Sequence, residues 1–291
     1  MGVHKNIVKP GAVKAKKRLG QHFLKDAGVL DKIVRWIAPA ADQFFIEIGA
    51  GTGVLSARLA EKAGALVAVE FDGDCIPVLE KTLAIFDSAA VVHANILNLD
   101  LAELVNVHMR SEQNLRVAGN LPYNIGTAII VKLLRSNLPI EAMFFMLQLE
   151  VAERILARPE TREYGSLSVL CQRYAEARMG FKVSPACFAP KPTVMSAVIS
   201  LHPISHKKNT DFNVVFEELV KACFCYRRKT LANTLSRSAR FCRVATELLK
   251  KADIDSTRRA ESLSVSEYER LAQIFHGDLN FGLCSNLKGI L

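Results

Sequence analysis

The tetrapeptide Asn120-Leu121-Pro122-Tyr123 has the residue types needed to activate an exocyclic amine of a nucleobase. The lone pair of such an amine is delocalised into the ring, so the amine is a poor nucleophile. Asn120 Oδ1 and a backbone carbonyl, the one before or at Pro122, could accept its two protons and turn the lone pair towards an electrophile. Pro122 would fix the turn, and Tyr123 could stack on the base, a contact worth about 1–3 kcal/mol. The alternative is an ordinary turn with a half-buried tyrosine.

A second aromatic residue, Phe188, precedes the stiff sequence Pro190-Lys191-Pro192. Prolines at these positions would hold the phenylalanine ring on a loop at a small cost in entropy. If this loop lies opposite Tyr123, the two rings could enclose a flipped base. The alternative is that Phe188 is a core residue at the end of a loop.

Three glycines at alternate positions, Gly49, Gly51 and Gly53, separate a strand-like run at 44–48 from a helical pattern at 54–63. Such a turn forms a cradle for a nucleoside cofactor, because glycine lets the backbone approach the ligand closely. Dinucleotide oxidoreductases place the third glycine one residue later, against a pyrophosphate. The spacing here favours a cofactor with an adenosine and an amino-acid end. It disfavours a nicotinamide oxidoreductase, and titration with both cofactors would distinguish the two.

Glu70 lies 21 residues after Gly49, at the end of the next predicted strand. A carboxylate at this point could accept hydrogen bonds from both ribose hydroxyls of a nucleoside. Alone, Glu70 could equally be a surface acid at a strand end. Its pairing with the glycine turn favours the ribose-binding role.

Strand and helix patterns alternate through the first half of the chain, which predicts an α/β fold with a parallel, doubly wound sheet. After about residue 203 the pattern is helical only. We therefore predict three regions: a flexible basic N-terminal arm at 1–18, a Rossmann-like catalytic domain at 19–204, and a small all-helical RNA-binding domain at 205–291.

The net charge of +9 is concentrated in two acid-free segments, 1–25 and 219–246, each with seven Lys or Arg residues. This distribution predicts a polyanionic partner. The alternatives are a solvated tail and a solvated helix face, or a transit peptide for the tail, although the tail is rich in Lys rather than Arg and Ser. The predicted phosphate contacts are Lys16, Lys17 and Arg18 in the first segment and Arg227, Arg228 and Lys229 in the second.

The seven cysteines are scattered through apolar segments, and Cys223-x-Cys225 lacks a matching second pair. We interpret them as reduced thiols rather than zinc ligands or disulfides, which fits a cytoplasmic protein and implies no metal. No apolar run has the length of a membrane span, and the N-terminus lacks the apolar stretch of a signal peptide. No membrane association is expected.

Together these motifs resemble the ribosomal RNA adenine dimethyltransferase family, whose members dimethylate N6 of adenosines in small-subunit rRNA. The resemblance covers about residues 16–275. Its marks are Arg18-Leu19-Gly20-Gln21-His22-Phe23-Leu24, Glu47-x-Gly49-x-Gly51-x-Gly53, Glu70, Asn120-Leu121-Pro122-Tyr123, Tyr164-Gly165-x-Leu167-Ser168, Phe188-x-Pro190-x-Pro192-x-Val194-x-Ser196 and Arg227-Arg228-Lys229-Thr230-Leu231-x-Asn233.

The resemblance implies S-adenosylmethionine as the methyl donor, bound in a Rossmann-like methyltransferase sheet. It implies that Gly49 and Gly51 pass beneath the methionine end and that Glu70 holds the ribose, with Asn120 beside the transferred methyl group. By position, three residues would close over the cofactor: Gln21, Leu24, and His22, which stands where Asn is common in the family.

One position departs from the family pattern. An Asp usually follows the third strand and contacts the adenine amine, whereas this chain has Asn95. Because an amide oxygen can also accept a hydrogen bond from an amine, we expect cofactor binding to survive.

The resemblance further implies a monomer that acts on small-subunit rRNA within a pre-ribosomal particle. Two other classes of protein remain open at this stage. One is a ribosome-binding assembly factor that uses the fold without essential catalysis. The other is a methylase of large-subunit rRNA or of DNA adenine with the same catalytic residues.

Overall fold

The computed structural model describes residues 13–204, 210–226 and 228–280. The chain separates into two compact units. The first contains the described residues up to Ala152 together with Ala175–Pro203, and the second contains Glu153–Tyr174 and the described residues after Pro203.

The first unit is built on a seven-stranded sheet and a two-stranded ribbon. Its strands are β1 (Phe23–Leu24), β2 (Gln43–Ile48), β3 (Ala65–Glu70), β4 (Ala89–His93), β5 (Asn114–Asn120), β6 (Ile140–Gln148), β7 (Ala175–Val183), β8 (Phe188–Ala189) and β9 (Ser196–Pro203). Its helices are α1 (Ala27–Ile37), α2 (Val54–Ala60), α3 (Ile76–Leu83), α4 (Leu101–His108), α5 (Gly126–Arg135) and the start of α6 (Leu149–Leu156).

The order of the large sheet is β4-β3-β2-β5-β6-β9-β7. The strands from β4 to β6 are parallel, which confirms the predicted α/β fold. The last two strands, β9 and β7, are antiparallel to their neighbours. The chain moves outward from β2 to β4 and then returns to place β5 on the other side of β2. The carboxyl ends of β2 and β5 therefore flank a crevice of the kind that binds ligands in open α/β sheets.

The core of the first unit surrounds β2, where all six residues are buried. A strand covered on both faces needs apolar side chains on both, and Phe44, Phe45, Ile46 and Ile48 supply them. Helices α1 and α4 begin at side-chain capping groups, Asp26 and Asp100. The Asp26 carboxylate accepts a hydrogen bond from Val29 N at 2.9 Å at the start of α1.

The second unit is helical, with α7 (Ser166–Tyr174), α8 (Thr210–Phe224), α9 (Leu231–Leu235), α10 (Ala245–Lys251) and α11 (Val265–Asn280). The predicted boundary at residue 204 differs from the observed division, because residues 153–174 belong to this unit. Tyr164 and Val169 are fully buried in its hydrophobic cluster. The Tyr164 hydroxyl also donates to Leu263 O at 2.8 Å. These contacts explain why an early segment folds with the later helices.

No helix in the described part of the chain has the length and apolar character of a membrane span. The six cysteines at described positions are free thiols. Cys171 and Cys223 are buried, and burial raises the pKa of each thiol to about 12. The prediction of core cysteines therefore holds for Cys75, Cys171 and Cys223, whereas Cys225 and Cys242 are exposed.

Glu47 is an acidic residue inside the central strand. Its side chain is 2% exposed, and Oε2 has no hydrogen-bond partner among the described residues. Burial raises the pKa of its carboxyl to about 8, with a further rise from the charge of Glu70 and an opposing effect of the Ser56 hydroxyl. The carboxyl therefore holds its proton in the folded protein at neutral pH.

We predict that Glu47→Gln removes a pH dependence from the free energy of unfolding. Between about pH 4.5 and pH 8 the folded protein keeps a proton that the unfolded chain has lost, so the wild type becomes less stable as pH rises, by at most about 1.4 kcal/mol per pH unit. Glutamine has no such proton. Urea unfolding at pH 5 and pH 8 should show the variant gaining stability relative to the wild type. The exposed Glu80→Gln is the control, and an equal difference at both pH values would contradict the prediction.

Candidate active site

A cavity of about 270 Å³ lies at the carboxyl ends of the parallel strands of the first unit. Most residues singled out in the sequence meet on its wall, since the ends of parallel strands share one edge of a sheet. The predicted residues on the wall are Gln21, His22, Gly49, Gly51, Glu70, Asn95, Asn120, Leu121, Pro122 and Tyr123.

Gly51 and Gly119 allow close contacts at this edge of the sheet that a side chain would prevent. Gly51 has a φ of +57°, and a Cβ at this position would lie 3.1 Å from the Phe23 ring. Gly119, immediately before Asn120, lies so close to β2 that a Cβ would meet Ile48 O at 2.4 Å. Gly119 was not identified as a site residue in the sequence, although its position next to Asn120 was a usable signal. It sets the spacing between the two strands that carry the glycine turn and the asparagine.

The Glu70 carboxylate organises the backbone around the end of β3. Its Oε2 atom accepts a hydrogen bond from Gly51 N at 2.7 Å. Its Oε1 atom accepts from Phe71 N at 2.8 Å and from Asp72 N at 2.7 Å. A carboxylate offers about four acceptor positions, so room remains for a hydroxyl of a ligand.

Residues 16–24, which we call the strap, border the same cavity. Lys16 Nζ lies 2.5 Å from Asp72 Oδ1 and 2.6 Å from Asp74 Oδ2. Gln21 Nε2 donates to Asp72 Oδ2 at 2.8 Å, and Gln21 Oε1 accepts from Lys16 N at 2.8 Å. Burial alone would raise the pKa of Asp72, but hydrogen bonds from Lys16 and Gln21 hold it below its usual value. Asp72 is therefore a charged anchor for the strap.

The far end of the strap is fixed by β1, which pairs with β8 through Leu24 and Phe188. Leu24 is not on the wall of the main cavity. It lines a smaller neighbouring space of about 60 Å³ together with Gly49, Gly51 and Asn120. The short ribbon was not expected from the sequence, because strands of two residues have no readable periodicity.

The Asn120 side chain has a defined orientation. Its Nδ2 atom donates to His22 O at 2.9 Å, which leaves Oδ1 as the acceptor. Pro122 O accepts Gly126 N at 2.9 Å at the start of α5, whereas Leu121 O accepts none of the described hydrogen bonds. Of the two carbonyls considered in the sequence, Leu121 O is thus the available acceptor beside Asn120 Oδ1.

Tyr123 is held by a residue that the sequence analysis did not assign to the site. Its hydroxyl lies 2.6 Å from Ser196 Oγ, and its ring centroid lies 5.1 Å from that of His22. Burial raises the pKa of the Tyr123 hydroxyl, and the hydrogen bond with Ser196 opposes this in part. Ser196 ends the proline-containing motif that starts at Phe188, and this was the signal for it.

Phe188 lies in the core and not on the cavity wall. Its side chain is 1% exposed and belongs to the hydrophobic cluster that contains Phe144 and Val198. The structure therefore does not place it opposite Tyr123 as a stacking partner. The alternative interpretation, a core phenylalanine at the end of a loop, describes its position.

The predicted basic residues differ in their surroundings: most are exposed, and one is paired with carboxylates. Lys17 and Arg18 are exposed in the short 3-10 helix Lys17–Leu19, and Arg228 and Lys229 are exposed beyond α8. Lys16 differs because its ammonium group is engaged with two carboxylates. Arg227 lies outside the described residues. Within the described ranges, no group of His, Cys, Asp and Glu side chains has the arrangement of a metal site.

We predict that Asp72→Ala releases the first half of the strap. The substitution removes the acceptor of both Lys16 and Gln21, and hydrogen bonds to charged groups are among the stronger ones. Amide hydrogen exchange of residues 16–22, followed by mass spectrometry, should become about tenfold faster. Asp74→Ala is the matched control, because Asp74 is 65% exposed and contacts only Lys16 among the strap residues in the described ion pairs. Unchanged exchange in Asp72→Ala would show that other contacts hold the strap.

Comparison with known proteins places the chain in a family. The sequence profile of the family described as ribosomal RNA adenine dimethylase matches residues 12–276. Ribosomal RNA small subunit methyltransferase A of Bacillus pumilus is 38% identical over 278 residues, covering 93% of this chain and 94% of the relative. The protein of the same name from Bacillus cereus is 39% identical over 274 residues, covering 92% and 94%.

Solved structures share the fold at lower identity. A dimethyladenosine transferase from Plasmodium falciparum superimposes with a TM-score of 0.74 at 22% identity, covering 88% of this chain and 98% of that one. The 23S rRNA methyltransferase ErmE gives a TM-score of 0.62 at 24% identity, covering 86% and 98%. The alternative of a nicotinamide oxidoreductase is excluded by the family match. The chain belongs to the ribosomal RNA adenine dimethylase family and is an S-adenosylmethionine-dependent rRNA adenine dimethyltransferase.

Proposed function

We propose that this protein dimethylates N6 of adjacent adenosines in small-subunit rRNA, within a pre-ribosomal particle in the cytoplasm, and that it acts as a monomer. The observation that carries the reaction type, methyl transfer to an exocyclic amine, is the orientation of Asn120, whereas the choice of the small subunit rests on the relatives. The Nδ2 atom of Asn120 is engaged with His22 O, so Oδ1 is the side-chain atom left to accept a hydrogen bond from a substrate. The relatives that are 37–39% identical carry the name of a small-subunit methyltransferase.

The cavity residues fit S-adenosylmethionine by their chemistry. Gly49 and Gly51 would pass beneath the methionine end, and a Cβ at Gly51 would press against the Phe23 ring, which also lines the cavity. Glu70 would accept from one ribose hydroxyl at its remaining acceptor position. Gln21 and His22 of the strap would cover the cofactor, with Leu24 behind them. When bound, the cofactor supplies an electrophilic methyl group on a sulfonium sulfur.

The acceptor side would orient the adenine amine. Asn120 Oδ1 and Leu121 O would each accept one N6 proton, which directs the nitrogen lone pair away from the ring plane. Tyr123 would stack on the base, with its hydroxyl fixed by Ser196. No strong general base is required, because the amine becomes acidic only after it has gained the methyl group. The proton then passes to the Asn120 carbonyl environment or to water.

The second methyl transfer uses the same contacts. N6-methyladenine keeps one N–H, so one of the two acceptors can still hold it. The cofactor must be exchanged between rounds, and the strap borders the cavity through which this exchange occurs. The Asp72 anchor is therefore expected to influence cofactor exchange more than the chemical step.

The exposed basic residues would contact phosphates. Lys17 and Arg18 precede the cavity-lining part of the strap, and Arg228 and Lys229 lie in the acid-free second segment. Phosphate contacts give affinity and salt dependence rather than base specificity. Lys16 is a weaker candidate for this role because its charge is paired with Asp72 and Asp74.

Two alternative functions would use the same cavity, and they differ from the proposed function in the substrate on which the protein acts. The fold is shared with a 23S rRNA methyltransferase, so architecture alone does not select the ribosomal subunit. An assembly factor without essential catalysis would bind the particle equally well. Methyl transfer to naked rRNA, immature small subunits and large subunits, with mapping of the modified base, separates these possibilities.

We predict that Asn120→Ala lowers methyl transfer to immature small subunits by about 100-fold or more, because one of two preorganised acceptors is lost. Tritium incorporation from the labelled cofactor measures this. Asn106→Ala, at an exposed position of α4, is the matched control and should keep wild-type activity. Near wild-type transfer by Asn120→Ala would show that the roles assigned here are wrong.

We also predict that the paired change Arg228→Ala with Lys229→Ala flattens the salt dependence of rRNA binding. Each phosphate contact contributes about 0.7–0.9 to the slope of log K against log salt, so the slope should fall by about 1–2. Lys62→Ala with Lys81→Ala removes the same charge from exposed positions outside both basic segments. An unchanged slope would exclude Arg228 and Lys229 as phosphate contacts.

A further inference from the structure

The loop of residues 94–99, which follows β4, forms part of the cavity wall through its first four residues. Bonds within the loop give it its shape. Asn95 Oδ1 accepts a hydrogen bond from Leu97 N at 3.0 Å. Asn95 O accepts from Asn98 N at 2.9 Å and from Leu99 N at 3.1 Å. These bonds lie within the loop, so they do not fix its place relative to the neighbouring helices.

A lysine of α5 ties the loop to that helix. Lys132 Nζ donates to three carbonyl oxygens of the loop, Ile96 O at 2.8 Å, Leu97 O at 2.9 Å and Leu99 O at 2.8 Å. An ammonium group has three N–H donors and no acceptor, so these three oxygens match its donors one for one. We call these three bonds the clamp.

The surroundings of the clamp make its loss costly. Ile96 is buried, and Leu97, Leu99 and Lys132 are half-buried. Burial lowers the pKa of the Lys132 ammonium group, and the charge of Asp100 opposes this effect. A carbonyl oxygen that loses its donor in a buried place must find another partner. Without the ammonium group, the three oxygens would have to turn towards water, and the loop would leave its position.

The helix that carries Lys132 also borders the cavity. It starts directly after the acceptor residues, where Gly126 N donates to Pro122 O at 2.9 Å. Ile125 and Ile129 line the cavity wall, and Lys132 lies about one turn beyond Ile129. One helix therefore connects the residues after β5 to the loop after β4, although β2 and β3 separate those two strands in the sheet.

We propose that Lys132 is a positioning residue for the cofactor, because its clamp holds the loop of residues 94–99 in place before the cofactor binds. The inference rests on the proposed binding of S-adenosylmethionine in this cavity. There the glycine turn and Glu70 take the methionine end and the ribose, so the loop borders the space left for the base. A loop that is ordered in advance adds no ordering cost to binding. The bonds of the clamp involve neither Asn120 nor Leu121, so the clamp contributes to cofactor affinity rather than to the chemical step.

The test compares Lys132→Met with the wild type. Methionine keeps a long unbranched side chain and removes the three donors. Isothermal titration with S-adenosylhomocysteine should give a dissociation constant at least about tenfold higher in Lys132→Met. Lys81→Met, at an exposed position of α3, is the matched control and should bind as tightly as the wild type. Lys132→Arg keeps a cation with several N–H donors, so it should recover most of the lost affinity.

Two further measurements separate positioning from a general effect on folding. With immature small subunits as substrate, KM for S-adenosylmethionine should rise about tenfold in Lys132→Met while kcat stays within about threefold. A smaller folded fraction would instead lower kcat and leave KM unchanged. In the ligand-free wild type, the amides of residues 97–99 should exchange at least about 100-fold more slowly than in an unstructured chain. This protection should fall in Lys132→Met.

Each outcome has a defined meaning. Equal affinity of Lys132→Met and the wild type, or a lower kcat at unchanged KM, would overturn the inference while leaving the proposed cofactor site intact. Binding by Lys132→Arg that is as weak as in Lys132→Met would also overturn it. So would exchange of residues 97–99 in the wild type at the rate of an unstructured chain, a result that requires no variant to fold. Failure of the wild type to bind S-adenosylhomocysteine would instead contradict the proposed cofactor site itself.

Discussion

The carboxylate of Glu70 holds together the parts of the protein that form the cavity. One oxygen fixes the glycine turn at Gly51, and the other fixes the chain at Phe71 and Asp72. Asp72 in turn anchors the strap through Lys16 and Gln21. A single side chain at a strand end therefore couples the floor of the cavity to its cover. Loss of this side chain would loosen both, because backbone N–H groups near the end of a buried strand need a partner.

The strap also connects the two halves of the proposed chemistry. Its middle residue, His22, accepts the Asn120 amide proton with its carbonyl oxygen, and its ring packs beside Tyr123. The same segment that covers the proposed donor site thus sets the orientation of the proposed acceptor site. The proposed catalysis consists of orienting the reactants and hydrogen bonding to them. The side chains that do this have few alternative positions.

The sequence predicted the residues whose position follows from topology. Glu70 and Asn120 end the two parallel strands that flank β2 on either side, so they reach one edge in any α/β sheet with this order. The features that the sequence did not reveal depend on tertiary packing. Phe188 lies next to prolines that suggest an exposed loop, yet it is paired in a two-residue strand and buried. The pairing of Lys16 with Asp72 joins residues 56 positions apart, and charge composition cannot reveal it. The bond from Leu97 N to Asn95 Oδ1 arises from the local fold of the loop, which the sequence pattern does not reveal.

A crystal structure of the protein with S-adenosylhomocysteine would test the role of Glu70 directly. We expect one ribose hydroxyl to donate to the Glu70 carboxylate while that carboxylate keeps its bonds to Gly51 N, Phe71 N and Asp72 N. We also expect the sulfur to lie on the side of the cavity that carries Asn120. A ribose bound away from Glu70, or a Glu70 side chain displaced to admit it, would contradict the central role given to this carboxylate.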